Sequence, residues 1–112
     1  MSERSWQLYI DDMRVFSRRV MLYTEGFDQQ RFVASGLNHD ATLRNLELIG
    51  KAANQIPEAT RAMMPQIQWR QIIAVRNRIA HGYLGLDNDT LWSVICDDVP
   101  ALIVELEKLR AA

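Results

Sequence analysis

Four stretches of this 112-residue chain space their apolar side chains at steps of three and four, and no stretch alternates long enough to argue a strand. That period predicts an all-α protein. Trp6, Tyr9, Ile10, Met13, Phe16, Val20 and Tyr23 would share one face of a long first helix, with Gly26 as its C-cap glycine. A short helical piece is expected between Asp28 and Ala34, before a break at Gly36. Asn38 to Asp40 offer caps for a second long helix ending near Gln55, its stripe formed by Leu43, Leu46, Ile49, Ala53 and Ile56. Pro57 and Pro65 bracket a further short turn of helix. A third long helix is predicted from about Gln68 to Ala80, ending at Gly82. The last starts near Asp87 to Asp89 and carries Leu91, Val94, Ile95, Leu102, Leu106 and Leu109. Pro100 lies inside it and should kink it or split it in two. The expectation is an up-and-down bundle of four main helices with short extra helical pieces, one domain over 1–112.

Composition narrows the class. With 48% hydrophobic and 24% charged residues the chain is ordinary globular material. At this size roughly 65% of the unfolded surface is buried on folding, enough for a core without staples. No apolar run approaches the ~20 residues of a membrane helix, and the opening MSERSWQLYIDDM lacks the layout of a signal peptide. The single cysteine, Cys96, cannot close an internal disulfide and suits a reducing compartment. A soluble, cytoplasmic protein is expected.

The net charge of −1 makes the whole molecule no electrostatic trap for nucleic acid, but the charge is unevenly spread. Between Ala59 and Leu86 there is no acid, while Arg61, Arg70, Arg76 and Arg78 stand there; Asp87, Asp89, Asp97 and Asp98 follow. Of the 13 basic residues all but Lys51 and Lys108 are arginine, the side chain suited to bidentate phosphate contact. A plain compositional preference for arginine explains the same count.

Residues 76 to 83 read RNRIAHGY. At ~100° per residue, Trp69, Ile72, Ile73, Ile79 and Ala80 fall within about 60° of Arg76, which therefore occupies an apolar face. A guanidinium sealed there unpaired would cost several kcal/mol. Either an acid neutralises it, with Asp11, Asp12 and Glu47 as candidates, or the face lines a cleft that takes an anion. His81 lies ~140° round the helix, on the flank of Asn77. Because the helix ends at Gly82, the backbone could turn His81 and Tyr83 back toward Arg76.

An imidazole can take a proton near neutrality and return it. An arginine beside it can hold a phosphate and stabilise a pentacoordinate transition state. Those functions suffice for RNA cleavage by the adjacent 2′-hydroxyl without a metal. Two histidines and one cysteine are too scattered for a zinc or redox site, so no metal or cofactor is expected. The pair also has a structural reading, with His81 favouring the helix C-terminal dipole and Arg76 bridging to an acid.

The chain resembles the HepT-like group of the HEPN superfamily. Its signature, commonly R-N-x-x-x-H-x-Y, stands complete as Arg76, Asn77, Arg78, Ile79, Ala80, His81, Gly82, Tyr83. YIDDM at 9–13, YTEGF at 23–27, RNLELIGKAA at 44–53, the PQIQW run from 65 and LWSVICDDVPAL at 91–102 are similar, in order, to the flanking family segments. Lys51 replaces a usual glutamate, and Ala74-Val75 a common Gly-Met. The resemblance implies a homodimeric HEPN-like bundle whose signature residues face a shared cleft. It further implies a metal-independent ribonuclease toxin of a type VII toxin–antitoxin pair, whose antitoxin, a small MNT-type nucleotidyltransferase, adds AMP to the signature tyrosine. On that reading Arg76 and His81 are catalytic, with Asn77 orienting one of them. Tyr83 receives AMP, which would block the cleft and repel RNA. Glu47 is a supporting candidate by its place on a mostly apolar helix, and Arg70 and Arg78 are candidate RNA contacts. The alternative is a non-catalytic HEPN module that binds a nucleotidyltransferase or a nucleotide.

Overall fold

A computed structural model describes residues 5–82 and 86–111. Among them every regular element is helical. The first helix, α1 (Trp6–Thr24), is capped by Ser5, whose hydroxyl accepts from the Gln7 N–H at 3.4 Å. Its buried seam is Ile10, Met13, Ser17, Val20 and Thr24, so two of the five positions are polar. Gly26, at φ +78°, takes the left-handed conformation expected just past the helix end.

The short α2 (Gln29–Ala34) follows, its N-terminus held by the Asp28 carboxylate, which accepts from the Arg31 N–H at 2.8 Å. The next helix, α3 (Gly36–Gln55), begins earlier than Asn38 to Asp40 suggested. Its N-cap position is Ser35, and Gly36 is helical rather than a break. Asn38 instead donates from Nδ2 to the Tyr23 carbonyl at 2.8 Å, tying the first turn of α3 to the last of α1. His39 stacks on Phe32, with ring centroids 5.4 Å apart.

After α4 (Glu58–Ala62), the chain enters α5 (Trp69–Ala80), which carries Arg76. Trp69 at its head is buried and donates Nε1–H to the Met64 carbonyl at 3.0 Å, a packing anchor. The closing rod is α6 (Asn88–Ser93), a π-helical turn (Val94–Asp98) and α7 (Val99–Ala111). The disturbance expected of Pro100 takes this form. Proline has no N–H and its ring crowds the carbonyl four residues back. The turn before it widens, with Val99 N–H donating to Val94 O, and the rod is not broken.

α3 is the central helix: α1 packs along one side of it and α5 along another, while α7 lies against α1. All share one apolar core, including Met13, Phe32, Ile49, Ala53, Leu91, Ile95 and Leu106. Arg14 laces α1 to α7 by donating to the Leu106 carbonyl from Nε at 3.2 Å and from its terminal amino group at 2.7 Å. α5 and α7 barely touch. Between them runs a groove of about 190 Å³ over Leu46 and Ile49, crossed by a 2.7 Å hydrogen bond from Gln71 Nε2 to Asp98 Oδ2. No helix of the described residues is long and apolar enough to cross a membrane.

Candidate functional site

The site begins with a close crossing of two helices. α5 passes α3 at Gly50, which is buried. A Cβ built on Gly50 would lie 2.2 Å from Arg76 Cβ, 2.9 Å from its Cγ and 3.1 Å from the Ile72 carbonyl oxygen. Only glycine leaves room for the arginine stem at this distance. The crossing explains how Arg76 can sit on an apolar face: its aliphatic part packs on α3 while a terminal amino group reaches the Asn77 amide.

At the far end of that stem the hydrogen bonding is incomplete. One terminal amino group of Arg76 donates to Asn77 Oδ1 at 3.2 Å, whereas Nε is buried with no partner. The acids considered as partners are occupied or elsewhere. Glu47 pairs with Arg44 at 3.2 Å, one turn away on α3, and Asp11 pairs with Arg14. Among the described residues no carboxylate pairs with Arg76. Of the two options open from sequence, a neutralising acid is absent there, and an anion-accepting face remains.

His81 is exposed and closes α5 as its C-cap residue. Its backbone stays helical, φ −80° and ψ −10°, and its N–H still donates to the Asn77 carbonyl at 3.2 Å. The chain changes course only at Gly82, φ +68°. The turn of the backbone that the sequence allowed at His81 is not taken, because the left-handed residue follows the histidine instead of preceding it. The helical offset persists, about 140° round and about 7.5 Å along the axis. Asn77 stands between them in sequence: its amide holds the Arg76 guanidinium, and it lies one turn before His81 on the same flank. Tyr83 lies outside the described residues.

Ala74 and Arg70 continue that flank toward the helix start. There an open pocket of about 670 Å³ separates α4 from α5, with Asn54, Arg61, Gln68, Arg70, Ile73 and Asn77 among its walls. Arg78 projects to the other side of α5, close enough to Asp87 to act on it. Asp87's carboxyl is held below its usual range first by the Thr90 backbone N–H, at 2.7 Å, then by the Thr90 hydroxyl, with a smaller pull from Arg78. Among the described residues no three histidine, cysteine, aspartate or glutamate side chains cluster as metal ligands. Sequence reasoning passed over Gly50 and Arg61; only the place of Arg61 in the acid-free stretch hinted at it.

Comparison with known proteins agrees with the signature that begins at Arg76. The family model described as "Ribonuclease HepT-like" matches residues 13–109, so this chain belongs to the HepT-like ribonuclease family. A relative from Thermococcus cleftensis, named "Probable ribonuclease HepT", is 31% identical over 108 residues, covering 96% of this chain and 98% of its own. Another, "Putative RNase MJ1380" of Methanocaldococcus jannaschii, is 30% identical over 107 residues, covering 96% and 98%. No solved structure matches the chain.

Proposed function

We propose that this protein is a metal-independent endoribonuclease toxin that works as a homodimer and is silenced by AMP addition to Tyr83. The observation that carries the proposal is the Arg76–Asn77–His81 arrangement: a guanidinium without a counter-charge among the described residues, held by the Asn77 amide one helical turn before an exposed histidine. Its membership of a ribonuclease family supports RNA as the polymer.

The reaction follows from those groups. Arg76 binds the scissile phosphate and gains strength as charge builds on the pentacoordinate phosphorus. His81 takes the proton of the 2′-hydroxyl as that oxygen bonds to phosphorus. The P–O5′ bond breaks, and the imidazolium returns a proton to the departing 5′-oxygen. A 2′,3′-cyclic phosphate and a 5′-hydroxyl result, with no electron transfer and no metal. Because a single helix sets Arg76 and His81 apart by most of a half-turn, the reading places the α5 helices of two protomers across a shared cleft. There the arginine of one and the histidine of the other can face the same phosphate. A nucleotidyltransferase partner that attaches AMP to Tyr83, two residues past His81, would add bulk and negative charge beside this cleft.

Incubation of purified protein with RNA in EDTA, beside Arg76→Ala and His81→Ala, tests the chemistry. Cleavage should persist in chelator and fall by roughly 10²- to 10⁴-fold in either variant. Equal cleavage by all three would leave a non-catalytic binding module. Intact-mass measurement after co-expression with the transferase should show AMP-sized additions that a Tyr83→Phe variant lacks.

A further inference from the structure

We infer that the pocket between α4 and α5 is a subsite for single-stranded RNA, holding a phosphate and its nucleotide next to, but not at, the bond that is cut. The identity of the polymer rests on the ribonuclease reading above; the site itself rests on geometry. The pocket measures about 670 Å³, inside the ~300–1,000 Å³ typical of ligand sites. It belongs to the acid-free stretch of the chain, with Glu58 on its rim as the one carboxylate among its walls.

Two guanidinium groups face it. Arg61 is half-buried and donates Nε–H to the Ile56 carbonyl at 3.0 Å, which fixes the plane of the group and leaves both terminal amino groups available. Arg70 is exposed. Among the described residues neither is ion-paired, Glu58 included. A pre-set fork and a second unpaired guanidinium on the walls of one pocket can grip a phosphate together. Ile73 gives an apolar wall for a base or ribose, and the amides of Asn54, Gln68 and Asn77 can bond base edges or a ribose hydroxyl. Trp69 is no stacking platform, since its ring is buried and its N–H committed to Met64.

Position argues for a polymer over a free anion. Arg70, Ala74, Asn77 and His81 follow one flank of α5, and the helical rise from Arg70 to His81 is about 16 Å. A phosphate seated at Arg61 and Arg70 thus lies well short of His81, while its strand runs along the flank to reach it. Asn77 belongs to both, as a wall of the pocket and as the hydrogen-bond partner of Arg76.

The test uses a fluorescent 2′-O-methyl oligonucleotide, which lacks the attacking hydroxyl, so binding is read apart from cleavage. Each single-strand phosphate contact contributes about −0.7 to the slope of log affinity against log salt. Arg61→Gln/Arg70→Gln removes that one phosphate contact and should flatten the slope by about 0.7, with Arg70→Gln alone flattening it by part of that. The single variant guards against loss of the Arg61 bond to Ile56. On cleavable RNA the double variant should raise KM for a long strand, and leave kcat on a dinucleotide, which cannot reach the pocket, as in the parent. Slopes and affinities equal to the parent's overturn the subsite, even if RNA is still cut. Flattened slopes with no cleavage by the parent support it and remove the nuclease reading instead. Failure of the parent to bind the oligonucleotide overturns it outright.

Discussion

At the scale of single residues, Gly50 and Asn77 decide what Arg76 can do. Gly50 supplies the space for the arginine stem, so adding one methyl group forces α5 away from α3 or bends the stem. Gly50→Ala should destabilise the protein by about 1–3 kcal/mol, the usual cost of overpacking, as read by urea unfolding. It should also lower RNA cleavage at temperatures where the variant remains folded; full activity in a folded variant would show that the close crossing does not set the site. Asn77 holds the guanidinium by its amide oxygen. On the proposed mechanism Asn77→Ala should reduce kcat by less than His81→Ala does, because it positions a catalytic group without replacing one. Both histidine and arginine were legible in the sequence, since a polar pair on an apolar helix is conspicuous. Gly50 was not: nothing local distinguishes a glycine that admits a side chain from one that merely sits in a helix.

At the scale of elements, the apolar period located every main helix because the residues that make a stripe are neighbours one turn apart. It was less informative at the joints. The N-terminus of α3 moved to Ser35 because Asn38 is engaged by the Tyr23 carbonyl, a contact 15 residues distant. The π turn before Pro100 likewise trades one hydrogen-bond pattern for another with no change in sequence signal. That turn carries Asp98, whose carboxyl is pushed above its ordinary range first by desolvation and then by Asp97, against the Gln71 bond. A raised carboxyl means the folded state holds the proton more tightly than the unfolded chain. Its contribution is therefore full below the ordinary carboxylate range, ~3.9 for aspartate, and is lost as pH rises through the elevated folded value. Asp98→Asn should melt higher than the parent near pH 7, with the gap closing as pH falls toward about 4. A gap that widens on acidification would contradict this. In the core, Leu106→Ala should cost about 2–5 kcal/mol, since Leu106 is 0% exposed. Leu37→Ala, at 83% exposed, should stay within about 0.5 kcal/mol.

At the scale of the whole molecule, the open seam between α5 and α7 sets this bundle apart from a closed four-helix arrangement. One protomer has a Cα radius of gyration of 14.0 Å, near the ~13 Å expected for a chain of this length. The homodimer proposed for the shared cleft should sediment at twice the 12.9 kDa of one chain and give a clearly larger radius of gyration in solution scattering. Mixing Arg76→Ala with His81→Ala protein then offers a direct check on the cleft. Mixed dimers pair an intact arginine with an intact histidine in one arrangement, so partial recovery of cleavage is expected, and none would place each site within one protomer.

The helical period, the left-handed glycine after the first helix and the signature that begins at Arg76 are properties of residues close in sequence, and the chain by itself determined them. The packing of Arg76 on Gly50, the commitment of Glu47 to Arg44, the helical backbone at His81 and the placing of Arg61 and Arg70 on the walls of one pocket were decided only by tertiary structure. Each depends on a distance of a few ångströms between helices, or on which of several available partners wins a bond. An amino-acid string records the candidates for such contacts, but the winner is set by how the helices finally lie together.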